Sequence, residues 1–315
     1  MTQTTKDIFE KYQVRKTKKQ KAAFREYAKI VAEENGYSVK IENGYLGAKN
    51  IVVGDPDNAK VIYTAHYDTC PRLPFPNFIT PKNIFIYLLY QIALVAGFMI
   101  VGGTLGFCMG FVLGIISGIF SIEIPYIVGL LVVELPIIAL LMFMLVGPAN
   151  KHTANDNTSG VTTLFDIMLS LPEEEKGKVA FVFFDLEEMG LFGSAGFASK
   201  HQKVRKDTLL INFDCVSDGN NFLFVIKKNS TQYRQLLEEC FAGDENMTVE
   251  VLEKGVFYPS DQANFKCGVG VAALKKAKNS NLLYMNRIHT KRDVIYQDEN
   301  IEFLTNGAVE LVKKI

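Results

Sequence analysis

The chain has 315 residues, 48% of them hydrophobic, and its 34 basic and 34 acidic side chains leave no net formal charge. A zero balance gives no field for holding a polyanion, so nucleic acid is excluded as an expected partner. Mean hydropathy is nevertheless positive, and the excess is local: Ile84–Gly147 carries two carboxylates, Glu123 and Glu134, and no basic residue. Outside it remain about 250 ordinary residues, enough for one substantial domain. The five cysteines (Cys70, Cys108, Cys215, Cys240, Cys267) are widely spaced with no CxxC pair, which fits reduced thiols rather than a disulfide framework. Met1–Lys21 is polar and lacks the apolar stretch of a signal peptide.

In chain order, the first expected element is a helix over Thr17–Asn35, with Ala22, Phe24, Tyr27, Ile30 and Val31 able to share a face and Gly36 as its stop. Arg15, Lys16, Lys18, Lys19, Lys21 and Arg25 cluster at its start; they read as a solvated helix face, or as a contact with anionic headgroups if the chain is membrane-bound. Strand-like runs follow at Ser38–Ile41, Asn50–Val53 and Val61–Ala65. Beyond the apolar stretch, Gly160–Ser170, Phe192–His201, Gln232–Phe241 and Asn300–Lys314 have helical patterning. Lys178–Phe184, Thr208–Phe213, Asn221–Val225 and Gly270–Leu274 read as strands. Such alternation implies an α/β fold: a three-layer α/β/α arrangement about a mostly parallel mixed sheet, whose strand ends gather ligands.

The apolar stretch has the composition of a transmembrane helical insert. Ile84–Phe120 runs 37 residues without a charge, far longer than the roughly 20 that span a hydrocarbon core. Tyr126–Gly147 is a second span, with Glu134 and Pro136 inside it. Glu134 is expected in a buried or interfacial position. The expected division is residues 1–82 plus 149–315 as a catalytic domain and 83–148 as the insert. Arg72, Lys82 and Lys151 flank the insert while its central connection has only Glu123; by the positive-inside rule the catalytic part faces the cytoplasm.

Five short motifs carry the chemistry: His66-Tyr67-Asp68, Asn155-Asp156-Asn157, Asp185-Leu186-Glu187-Glu188, Phe213-Asp214 and His289-Thr290. Four sit where a strand is ending, which lets residues remote in sequence converge, and the set has the composition of a two-metal hydrolase. If His66 and Asp156 share a metal, both ends of the insert lie on one side and the number of crossings is even, most simply two.

The motif order TAHYDT, ANDNTSG, FDLEEMGLFGS, INFD, YPSDQANF and IHTKRD resembles the co-catalytic zinc aminopeptidase family, which includes bacterial leucyl aminopeptidase, aminopeptidase Y, glutamate carboxypeptidase II and glutaminyl cyclase. The resemblance covers Asn50–Asp68 and Ala154–Asp293. It implies two Zn2+ per chain, one on His66 and Asp214, the other on Glu188 and His289, with Asp156 bridging. It further implies that Asp68 accepts a hydrogen bond from the other ring nitrogen of His66, with Asp293 as a further support. Glu187 is implied as general base for a metal-activated water. On this resemblance the chain is a membrane-anchored aminopeptidase with peptide and lipid bilayer as partners. Carboxypeptidase or glutaminyl-cyclase chemistry on the same site, and a non-catalytic membrane receptor, are the alternatives. The chain departs from the family at Gln262, where many members have His, and in the insert, where soluble relatives make a short connection. Cys70 and Cys215 adjoin the motifs without a paired His and read as packing residues.

Overall fold

The computed structural model describes all 315 residues. Helix α1 (Gln3–Lys11) precedes α2 (Lys18–Glu34), β1 (Val39–Asn43), β2 (Lys49–Val53) and β3 (Val61–His66). Two long helices follow, α3 (Ile84–Phe120) and α4 (Tyr126–Val146), then α5 (Gly160–Ser170), β4 (Val179–Phe184), α6 (Phe192–Lys200), α7 (Gln202–Asp207), β5 (Leu209–Phe213) and β6 (Asn221–Ile226). The chain ends with α8 (Arg234–Cys240), β7 (Thr248–Leu252), β8 (Gly268–Lys276), β9 (Leu283–Tyr284) and α9 (Asp298–Lys314).

Thr17 caps α2 through a reciprocal pair: its hydroxyl accepts from Gln20 N–H while the Gln20 side chain accepts from Thr17 N–H. Gly36, at φ +83°, supplies the left-handed stop. The buried face of α2 is Phe24, Ala28 and Ala32, not Ala22 and Ile30, which stay exposed; the helix presents the i, i+4, i+8 row to the sheet. Helix α1, within a stretch too polar to show a stripe, packs by Ile8 alone among its apolar residues fully buried.

The sheet runs β1-β2-β4-β3-β5-β8-β6-β7, with β9 on β8. Its centre is parallel: β3 pairs with β4 and β5, and β5 with β8. Both faces are covered. Tyr63, Phe181, Phe183, Ile211 and Phe213 point into a core shared with Phe24, Phe165 and Leu304. Ile62, Val182, Phe184 and Leu210 point to the opposite face, against Phe197 of α6 and Val204 of α7. The result is the three-layer α/β/α fold.

Helices α3 and α4 form an antiparallel hairpin projecting from this body, and both are long and apolar enough to cross a membrane. Their backbones meet where α3 has no side chain: a Cβ on Gly102 would lie 2.6 Å from Ile137, and one on Gly106 2.0 Å from the Val133 carbonyl. Helix α4 continues through Pro136 without a break. Glu134 is exposed on the hairpin's outer surface rather than buried, because Val133 and Ile137 take the positions facing α3.

A strap, residues 71–83, joins β3 to the hairpin and lies against both parts. Phe75 packs on Phe98 and Phe78 on Tyr90 of α3, while Tyr87 meets Phe257 of the body. Ile79 makes a two-bond bridge with Met285, and Leu73 N–H donates to the His289 carbonyl at 2.7 Å.

Candidate metal centre

Parallel strand ends place the first side chains. His66 is the last residue of β3; Asp214 directly follows β5; Glu187 and Glu188 lie just past the end of β4. Asp156 comes from the turn leading into α5, and His289 from a loop five residues beyond β9 rather than from a strand end. Three residues here hold φ near +60°, Leu186, Cys215 and His289, conformations that persist in non-glycine residues only where the surroundings impose them.

The flanking residues show how the turns are held. Asn155 Oδ1 accepts from Ser217 and Asp218 N–H, and Asn157 donates to the Phe213 carbonyl while accepting from Gly160 N–H, tying the Asp156 turn to the end of β5. The Asp293 carboxylate accepts from the Asn155 and Asp156 amides at 2.8 and 3.0 Å. The Asp68 carboxylate accepts from the amides of Glu187 and Glu188. His66 Nδ1 lies 3.2 Å from the Asp68 backbone carbonyl and 3.6 Å from its carboxylate, so the carbonyl is the nearer partner for the ring. Gln262 is buried, donating to the Tyr258 carbonyl and accepting from Asn212, and so braces the loop before the last histidine.

The two oxygens of Asp156 face different imidazoles. Oδ1 stands 3.3 Å from His66 Nε2, and Oδ2 stands 3.1 Å from His289 Nε2. His66 Nε2 is also 3.6 Å from Asp214 Oδ1, and His289 Nε2 3.4 Å from Glu188 Oε2. Two donors each about 2.0–2.1 Å from a tetrahedral ion stand about 3.3 Å apart, so both donor sets fit a divalent cation. Asp214 Oδ1 is buried without a hydrogen-bond partner, as a ligand atom would be.

Charge supports the fit. Burial raises Glu187 and Glu188 well above the usual carboxylate range, and lifts Asp261 to about 7 and Asp293, beside Asp156, to about 8. Desolvation alone would lower His66, yet the charge of Glu187 and hydrogen bonds to Asp156, Asp214 and Asp68 hold it well above its usual range. A packed set of carboxylates with this much unmet negative charge calls for cations. The imidazoles, Asp156, Asp214, Glu187 and Glu188 line a cavity of about 100 Å³, walled by Ile79, Tyr258, Pro259 and Ile288.

Arg15 had no distinguishing signal in the basic cluster. It is fully buried, donating to the carbonyls of Tyr67 and Tyr12 and lying 5.3 Å over the Phe24 ring; burial lowers it to about 10 against the charges of Asp68 and Asp156. Lys21 pairs with buried Asp185 at 2.7 Å, and Arg25 donates to Tyr67 Oη. Half of the cluster therefore supports the site from beneath, and Lys18 and Lys19 remain as the exposed face.

Peptidase family M28 matches residues 142–308. No curated protein sequence matches the chain. Among solved structures, similarity extends to the glutaminyl cyclase of Porphyromonas gingivalis (14% identity, TM-score 0.56, 98% of each chain covered). It extends also to a leucine aminopeptidase precursor from Bacteroides thetaiotaomicron VPI-5482 (14%, 0.56, 99% of this chain and 94% of that one). A Zn-dependent exopeptidase from Parabacteroides distasonis ATCC 8503 is similar to the same degree (14%, 0.54, 98% and 97%). At such identities the likeness is one of fold.

Proposed function

The chain belongs to peptidase family M28 and is by that membership a metallo-exopeptidase, and we propose that it is a membrane-anchored aminopeptidase with two zinc ions per chain. The observation that carries this reading is Asp156, whose two oxygens each face one imidazole. His66 and Asp214 would hold one ion, Glu188 and His289 the other, and Asp156 would bridge. Bound there, the ions would polarise the scissile carbonyl and make water at the site more acidic.

The chain's own groups do the rest. Glu187 lines the cavity without being tied up as a ligand; it takes the proton of the attacking water and passes it to the leaving amine. Asp68 holds the Glu187–Glu188 turn by its two amides, and Asp293 holds the Asp156 turn in the same way. Ile79, Tyr258, Pro259 and Ile288 bound a small cavity suited to an apolar terminal side chain. Anchoring is supported by the two apolar helices and by the return of both hairpin ends to one edge of the body, where Pro71 bridges Ala149. That return supports a reading with two crossings, residues 1–82 and 149–315 on one side and 83–148 as the insert. The basic residues flanking the insert, Arg72, Lys82 and Lys151, support a cytoplasmic orientation of that side by the positive-inside rule.

The test supplies zinc to the full-length chain in detergent and compares peptides with free and acetylated N-termini. The free-amine set is expected to be cut and the blocked set spared. Equal cleavage of both would exclude an aminopeptidase.

A further inference from the structure

We infer that Cys70 is a fourth protein ligand of the ion held by Asp156, Glu188 and His289. Its Sγ and one ligand atom from each of those three residues all lie within 4.8 Å of one another. The inference rests on the two-metal reading above and adds a sulfur donor that the motif order does not supply. Cys70 is fully buried and its position is fixed from both sides: Asn150 N–H donates to its carbonyl at 3.0 Å, and the next residue bridges Ala149. Asp156, Glu188 and His289 line the cavity, whereas Cys70 does not. The thiol thus approaches the ion from behind and leaves the cavity side free for water and substrate.

On metal binding the S–H bond breaks heterolytically, the sulfur keeps the electron pair as the donor, and the proton leaves to solvent. No oxidation state changes. The two ions then differ: one sits among nitrogen and oxygen donors, and the other has a soft sulfur that favours Zn2+ over Mn2+ or Mg2+.

Cobalt provides a readout independent of turnover. The full-length chain in detergent, stripped of metal and titrated with Co2+, is expected to take up two ions. A near-ultraviolet thiolate-to-cobalt charge-transfer band should develop with one of them. Cys70→Ser should abolish the band and weaken that site for Zn2+ by at least the about 10–100-fold that loss of a mere outer support costs. Cys215→Ser, at the thiol that does line the cavity, should keep the band. Two bound Co2+ without the band in the wild-type chain would overturn the inference and spare the two-metal reading, as would a band that survives Cys70→Ser. One ion with the band would keep Cys70 and end the two-metal reading. Because the wild-type spectrum alone decides the first point, the test does not depend on the variant folding.

Discussion

The body and the hairpin solve opposite problems with one chain. The body buries charge: Arg15, Asp68, Asp156, Asp185, Asp261 and Asp293 are all nearly or wholly inaccessible, and most of them are matched by amides, carbonyls or an opposite charge. The hairpin exposes apolar surface: of 37 residues in α3 only Gly102 and Gly106 are buried, while Phe85, Phe107, Phe111 and Ile119 stand open. An apolar surface of that extent has no counterpart on a water-soluble monomer. Its stable surroundings under the proposed anchoring are acyl chains, with α4 about the length that a hydrocarbon core of roughly 30 Å requires. In the body, specificity comes from satisfying each polar group; in the hairpin it comes from two glycines that let backbones touch.

Substitutions can break each solution separately. The largest effect is expected at the centre: Asp156→Asn should lose both metal and hydrolysis, whereas Glu187→Gln should keep two metals by elemental analysis and lose about 10²–10⁴-fold in kcat. Retained turnover in Glu187→Gln would remove it as the base. Next is Lys21→Ala, which strands Asp185 in the body with backbone amides as its remaining donors. A loss of about 3 kcal/mol is expected in chemical denaturation. In the hairpin, Gly106→Leu drives a side chain into the Val133 carbonyl and should cost about 1–3 kcal/mol of α3–α4 packing. Turnover of a soluble peptide should hold, because the strap's aromatic contacts on α3, at Tyr90 and Phe98, lie on the body side of Gly106.

The smallest effect is a gain. Burial raises half-buried Asp166 from 3.8 to about 6, so its contribution to stability is fully present below about pH 4 and is lost as pH rises through 6. Asp166→Asn should therefore stabilise the body by about 1–2 kcal/mol at pH 7 and have no effect below pH 4. A benefit that persisted at pH 3.5 would show that desolvation is not its cause.

The sequence made the sheet and the hairpin legible because each has a simple period: KVAFVFF is buried on both faces, and Ile84–Phe120 has no charge to interrupt it. The centre was legible as five motifs in a familiar order, and their strand-end placement holds for His66, the Glu187–Glu188 pair and Asp214. It fails for His289, which reaches the centre on a loop in a left-handed conformation that no local pattern announces. Arg15 was hidden because a buried guanidinium and a solvated one have the same neighbours in sequence; only the carbonyls of Tyr12 and Tyr67 distinguish them. The roles of Asn155 and Asn157 were out of reach for the same reason, since each acts on backbone amides or carbonyls remote in sequence, and Asp293, expected as a support, acts on amides 137 and 138 residues away that no local pattern names.

The strap that carries Leu73 and Ile79 has a practical consequence. The peptide preceding Thr290 is held by an amide on the very segment that climbs onto Phe98, so anchor and enzyme share a hinge pin. Cutting out 84–146 to make a soluble version would release that pin from above and slacken the imidazole it steadies. A successful graft onto another peptidase would have to carry residues 71–83 along with the two helices.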